Sequence, residues 1–197
     1  MAQEPILVYM ICGFLDAGKT NFIAPMLTSK DFTEDEQTLL LICEEGEEEY
    51  NTSTLGEYNV VPIALHGKEE LTLSKMQALE AKYHPTQIVI EYNGMWQIAE
   101  AFPAFPKHWD LYQIVTIVES PTFNSYAKNM ASLMMEKLRE ADLIVFNRCT
   151  DELADTLRQR NLKMLNRRAE MYLEYADDRV ENYDNGLCPF DLSLPVL

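Results

Sequence analysis

The hydrophobic positions of this chain fall into short runs separated by polar, turn-rich stretches. Residues 6–12 (ILVYMIC) are almost uniformly apolar, the pattern of a strand buried on both faces. Phe22, Ile23, Met26 and Leu27 then recur at helical spacing and predict a helix over 21–27, with Pro25 inside it as a source of a kink. Residues 38–43 predict a second buried strand, and 59–65 a third, in which Pro62 argues for an edge or a bulge. Leu71, Ser74, Lys75, Ala78, Leu79 and Lys82 mark a helix that His84-Pro85 ends. Strands are predicted over 87–91, 111–118, 142–146 and 171–175. Helices are predicted over 122–139, with Met130, Leu133, Met134 and Leu138 on one side, and over 151–168. The aromatic and proline-rich stretch 94–110 reads as a packed connection. Beyond Ala176 the chain reads as acidic and loop-like. Strands alternating with helices predict an α/β fold: a mostly parallel sheet flanked by helices on both faces.

Between the first strand and the first helix lies Gly13-Phe14-Leu15-Asp16-Ala17-Gly18-Lys19-Thr20, which fits G-x-x-x-x-G-K-[ST]. Strand, glycine loop and helix in this order specify a phosphate-binding loop and a three-layer P-loop NTPase fold. The glycines let the backbone turn its N–H groups inward as an anion nest, and the helix beginning near Lys19 adds its positive dipole end. Gly13, Asp16, Ala17, Gly18, Lys19, Thr20 and Asn21 are the expected phosphate-side residues. Lys19 would reach the β- and γ-phosphates, and the Thr20 hydroxyl would hold Mg²⁺.

Two other strand ends carry carboxylates. Glu44 opens an acidic run of five glutamates within residues 44–49, directly after the second strand, where the ligand crevice of an open α/β sheet lies. A hard cation prefers such oxygen ligands, although an acidic loop is also the ordinary dress of a solvated surface. Glu91-Tyr92-Asn93-Gly94 closes the 87–91 strand. An acid there suits Mg²⁺, and Gly94 would let the backbone approach the γ-phosphate.

Composition narrows the partners. With 32 acidic and 16 basic residues the formal net charge is −16, which repels nucleic acid and anionic membranes. No apolar run is long enough to span a bilayer, and the first residues carry no basic leader pattern. The four cysteines form no C-x-x-C pair, so they read as reduced thiols and the expected location is cytoplasmic.

Taken together these motifs resemble the CobW/HypB/UreG family of P-loop GTPases, nearest its CobW-like branch. Residues 13–20 are similar to G-F-L-G-[AS]-G-K-T, Cys43-Glu44-Glu45-Gly46-Glu47 to the Asn-Glu-Phe-Gly-Glu switch, and Ile90-Glu91-Tyr92-Asn93-Gly94 to the h-E-x-x-G motif. Asn147-Arg148-Cys149-Thr150 stands where Asn-Lys-x-Asp reads guanine, and Leu165-Asn166-Arg167-Arg168-Ala169 resembles Asn-Pro-x-Ala before the last strand. The resemblance implies a nucleotide-binding domain over 1–176, with 177–197 as a tail or linker. It implies Mg and GTP or GDP as cofactors, and a slowly hydrolysing switch that serves as a metallochaperone or metal-centre assembly factor. Lys19 and Glu91 would be catalytic. Gly94, Asn147 and Arg148 would join the loop in binding nucleotide, and Thr20, Glu44 and Glu91 would hold metal. A transition-metal cargo such as Zn, a metalloprotein client or membrane-transport partner, and a homodimer are the further expectations it brings.

Two departures matter. The family's C-x-C-C metal motif is missing, since residues 51–80 contain no cysteine; Cys43 with Glu44 or His66 would be the substitute. Thr150 replaces the guanine-reading Asp, unless Asp151 serves after a one-residue slip, so ATP stands as an alternative to GTP. A non-enzymatic nucleotide-binding regulatory module with relaxed base specificity is the competing reading. A small-molecule kinase with an arginine lid from Arg158, Arg160, Arg167 and Arg168 is a third, against which a solvated helix face weighs more heavily.

Overall fold

The computed structural model describes residues 4–44, 50–184 and 186–187. In chain order the elements are β1 (Ile6–Cys12), α1 (Lys19–Leu27), α2 (Lys30–Thr33), β2 (Thr38–Ile42), α3 (Thr52–Glu57), β3 (Val60–Ala64), α4 (Leu73–Tyr83), β4 (Gln87–Glu91) and β5 (Trp109–Glu119). They continue with α5 (Phe123–Asn129), α6 (Ala131–Glu140), β6 (Leu143–Cys149), α7 (Asp151–Gln159), β7 (Glu170–Tyr175), β8 (Val180–Asn182) and β9 (Gly186–Leu187).

The strands form one sheet in the order β3-β2-β4-β1-β5-β6-β7-β8-β9. All pairings from β3 through β7 are parallel, and the last two are antiparallel. Pro62 lies in β3, whose outer position spares it a second ladder, as its missing N–H requires. From β1 the chain first builds the β2, β3 side and then, after β4, crosses to build β5, β6 and β7. The crevice at the carboxyl end of β1 is therefore the place where the connections diverge, and the phosphate-binding loop opens into it.

The apolar runs are continuous because both faces of the sheet are covered. On one face Val8, Met10 and Cys12 of β1 pack with Met76 of α4 and with Tyr92, Ile98 and Trp109, so the 94–110 stretch is packed as expected. On the same face α5, α6 and α7 cover Ile144, Phe146, Met171 and Leu173. On the other face Tyr9 and Ile11 meet Ile23, Met26 and Leu27 of α1. Each fully buried Leu, Ile or Met of these clusters is worth about 1.5–3 kcal/mol of hydrophobic stabilisation.

Three expectations about elements are corrected. The helix expected over 122–139 is two helices: α5 ends at Asn129, Met130 leaves the helical region at φ −131°, and α6 begins at Ala131. Met130, at the break, packs half-buried against the cluster that contains Met134. The helix expected over 151–168 stops at Gln159, because Asn161 takes a left-handed φ of 49° that asparagine tolerates and most residues do not. Beyond Ala176 the chain is not only loop: Tyr172, Leu173 and Glu174 pair with Asn182, Glu181 and Val180, so the sheet continues past the point where the pattern faded. Pro25 sits inside α1 without ending it, and α1 starts at Lys19, where the phosphate-loop reading puts the helix start.

Asn166 shows what the 165–169 motif does locally. It is 6% exposed. Its Nδ2 donates to the carbonyls of Leu138, Arg139 and Ala141, and its Oδ1 accepts from the N–H groups of Arg168 and Ala169. One side chain thus satisfies the end of α6 and the approach to β7.

Candidate functional site

The loop leaves β1 at Gly13 and curls over residues 13–18. Gly18 takes φ 93°, the left-handed region that glycine enters without penalty, and a Cβ there would stand 2.6 Å from Asn147 Nδ2. Asp16 also has a positive φ, 59°. Phe14 stacks on Tyr126 of α5 with ring centroids 4.2 Å apart, which anchors one wall of the loop. The curl places Lys19 at the start of α1, buried at 4% exposure. Its Nζ donates to the carbonyls of Gly13 (3.2 Å) and Phe14 (3.1 Å) and forms an ion pair with Glu44.

Glu44 thus reaches the phosphate cradle itself. Its second oxygen accepts the Gly94 N–H at 3.2 Å. Gly94 can approach because it lacks a side chain: a Cβ would lie 2.5 Å from the Gly13 carbonyl oxygen and 2.7 Å from Phe14 Cα. Glu44 therefore holds the very lysine and the very N–H that the sequence assigns to phosphate. Expected as a metal ligand, it is here a partner of Lys19. The rest of the acidic run, residues 45–49 with the switch-like Glu45, Gly46 and Glu47, lies outside the described residues.

Glu91 stands at the end of β4, 5% exposed. The Thr20 hydroxyl donates to its Oε1 (2.9 Å) and the Tyr50 hydroxyl to its Oε2 (2.7 Å). Burial is the main influence on this carboxyl and pushes its pKa up, while Tyr50, Thr20 and Lys19 pull it down. Tyr50 was not legible as a site residue; nothing in its neighbourhood except its position after the acidic run marks it. Thr20 and Glu91 offer two hard oxygens side by side, and the buried carboxyl would gain from a cation, so the residues present fit Mg²⁺.

A second region adjoins the loop. A cleft of about 430 Å³ is lined by Gly18, Asn21 and Pro25 of the α1 segment, by Asn147 and Arg148 of β6, and by Glu174 and Asp178 around the end of β7. Asn147 Nδ2 donates to the Ala17 carbonyl at 2.6 Å, and its Oδ1 is buried without a hydrogen-bond partner. Arg148, at φ 52°, turns its guanidinium to the Asp16 carbonyl (3.3 Å) and to an ion pair with Glu119.

Neither candidate for the missing Asp lines this cleft. Thr150 caps α7, its hydroxyl accepting the Leu153 N–H at 3.2 Å. Asp151 is the first residue of α7, its side chain 82% exposed and paired with Arg179 at 2.7 Å. Of the arginines considered for a lid, Arg158 pairs with Glu181 and Arg160 hydrogen-bonds Asn124, and none of the four lines the cleft. Among the described residues no group of three or more His, Cys, Asp or Glu is placed to hold a metal ion. The Cys43 thiol is pushed up to about 12, by burial first and then by the charges of Glu91, Cys12 and Glu44, so it is not a ready thiolate.

A glycine loop opening a helix at the carboxyl end of a central parallel strand, a lysine and a threonine inside it, and an acid on the neighbouring strand define a P-loop nucleotide-binding domain. The model of the CobW/HypB/UreG nucleotide-binding domain matches residues 7–173, and the chain belongs to that family. Among solved structures it is similar to the Zn(II)-bound YjiA GTPase from E. coli (TM-score 0.62, 22% identity), covering 86% of this chain and 57% of that one. It is also similar to the hydrogenase maturation factor HypB from Archaeoglobus fulgidus (TM-score 0.57, 17% identity), covering 87% of this chain and 82% of that one. The chain thus spans little more than half the length of YjiA, and at these identities the likeness is one of fold. No curated protein matches it. No helix among the described residues is long and apolar enough to cross a membrane.

Proposed function

We propose that this domain is a Mg-dependent, GTP-binding switch that hydrolyses its nucleotide slowly and acts in metal-centre assembly. The observation that carries the reading is the convergence of Lys19, Thr20, Glu91 and the Gly94 N–H on one loop, beside a cleft large enough for a nucleoside. On binding, Lys19 exchanges the Glu44 carboxylate for the β- and γ-phosphates, and the loop N–H groups of residues 13–18 cradle them. Gly94 turns its N–H from Glu44 to the γ-phosphate. Thr20 and Glu91 would hold Mg²⁺, which would supply charge neutralisation to the bound phosphates. Asn147 and Arg148 face the base side. Catalysis is positioning and electrostatics, and slow turnover is the expectation until a partner completes the site.

The metal role is supported by the family, by the zinc in the YjiA structure and by the maturation role in HypB's name. The client would be a metalloprotein or a membrane-transport partner, met in the cytoplasm, and a homodimer is the assembly to test. The regulatory-module reading draws on one observation: Thr150 is used as a helix cap, which removes the usual base contact. Phosphate release from Mg·GTP by the full chain and by Lys19→Ala separates the two. Turnover lost in the variant supports the switch; equal rates would leave binding without catalysis.

A further inference from the structure

We infer that Glu174, at the end of β7, is the carboxylate that reads the nucleotide base, in the place that Thr150 has vacated. The inference rests on the proposed GTP-binding function and names how guanine is recognised.

Guanine is told from adenine by its N1–H and 2-amino group, two donors side by side that a single carboxylate accepts together. In this chain the fourth motif position is a threonine whose hydroxyl is committed to the Leu153 N–H, and Asp151 points away to Arg179. A purine entering the cleft still meets acidic oxygens, from the end of β7 and the turn after it. Glu174 and Asp178 line the cleft together with Gly18, Asn21 and Pro25. Asn147 lines the same cleft with a buried, unpartnered Oδ1, which marks the cleft as built for a ligand rather than as a gap between elements.

Of the two acids, Glu174 is the better placed. It belongs to a strand and pairs in register with Val180 of β8, which fixes its backbone on that side. Asp178 sits in the turn between these strands at φ 62°. Glu174 alternates with Tyr175, which packs into the core on the other face, so its side chain falls on the α1 side of the sheet. The charges facing it are Asp178 and Arg148. Burial first, and then Asp178, push its carboxyl up, and Arg148 opposes them. Glu174 is exposed to the cleft, so an incoming base can reach it, and an acid beside a like charge gains from two N–H donors. Glu170 and Glu174 are the two charged residues of β7, and of these Glu174 lines the cleft.

The test is titration calorimetry of the full chain with Mg²⁺ and GTP, ATP or xanthosine triphosphate, on wild type, Glu174→Gln, Asp178→Asn and Lys19→Ala. Xanthine carries a 2-oxo group in place of the 2-amino. A glutamine amide donates to that oxygen while its carbonyl accepts the N1–H. Wild type is expected to prefer GTP over ATP. Glu174→Gln should lower the GTP-to-ATP affinity ratio about tenfold to a hundredfold, the worth of one bidentate side chain–base pair, and make xanthosine triphosphate the preferred ligand. A switch of base preference is not something that loss of folding produces. An unchanged ratio in Glu174→Gln, with binding still lost in Lys19→Ala, would overturn this inference and leave the switch reading standing. A ratio that moves with Asp178→Asn instead would overturn the assignment to Glu174. No binding by wild type, or binding indifferent to Lys19→Ala, would overturn the proposed function and this inference together.

Discussion

Glu44 competes with the nucleotide, and replacing it should tighten binding. Its carboxylate joins the Lys19 ammonium and the Gly94 N–H, with side-chain exposures of 9% for Glu44 and 3% for Lys19. Phosphate binding must break both contacts. A hydrogen bond to a charged group contributes about 1.5–3 kcal/mol net, and burial shields this pair from salt. Glu44→Gln keeps the shape and removes the charge. It should lower the Kd of Mg·GTP roughly tenfold to a hundredfold, the equivalent of ~1.5–3 kcal/mol. The same substitution leaves Lys19 a buried cation without its counter-ion, so the nucleotide-free protein should melt earlier, since removing one partner of a buried pair costs about 3–5 kcal/mol. The two effects share one origin: nucleotide should restore most of the lost stability, as ligand linkage requires. The assays are titration calorimetry and thermal melting with and without saturating GTP. Equal or weaker affinity in Glu44→Gln would refute the competition. A loss of affinity seen only with Mg²⁺ would instead put Glu44 on the metal in the bound state.

Other consequences follow from the same contacts. The Glu91 carboxyl is pushed above its ordinary 4.5 by burial, so between 4.5 and its raised value the folded state binds more protons than the unfolded state and stability falls as pH rises. Glu91→Gln should flatten that part of a melting-temperature-against-pH curve and abolish Mg-dependent nucleotide binding; a curve that keeps its slope would refute this. Tyr50→Phe removes a 2.7 Å donor from the same carboxylate, so Mg·GTP affinity should weaken about tenfold, and more as pH is lowered, by titration at several pH values. Gly94→Ala places a Cβ 2.5 Å from the Gly13 carbonyl and should cost ~1–3 kcal/mol by urea denaturation together with weakened nucleotide binding. Asn166→Ala removes five hydrogen bonds far from the cleft, so it should cost ~3–4 kcal/mol in urea yet leave the nucleotide Kd within about twofold at temperatures where it is folded.

How much of this was legible in the sequence follows from the range over which each feature is decided. β1, the glycine loop and α1 are local: seven apolar residues, two glycines and a helical repeat specify them within about 20 positions, whereas the family resemblance rests on the ordered set of motifs from residue 13 to residue 169. Strand ends were legible too: β4 runs from Gln87 to Glu91, the bounds its apolar run predicts. The broken helices were not: Met130 carries no stop signal yet leaves the helical region, and the stop at Asn161 is a single left-handed asparagine in a stretch that otherwise reads as helix. β8 has no apolar run to mark it, only Val180 among three half-buried residues, and it is held by its neighbour in the sheet and by Arg179, which stacks on Tyr175 and pairs with Glu181. The state of the site was the least legible of all. Lys19 and Glu44 are 25 residues apart, Thr20 and Glu91 71, and Ala17 and Asn147 130. A motif names which atoms can meet phosphate; only the fold says which partner holds them beforehand. That is why the fourth place of the guanine motif misleads when read alone. Thr150 looks like a lost contact in the sequence, and in the fold it is a gained helix cap, with the acidic oxygens of the cleft arriving instead from β7 and its turn.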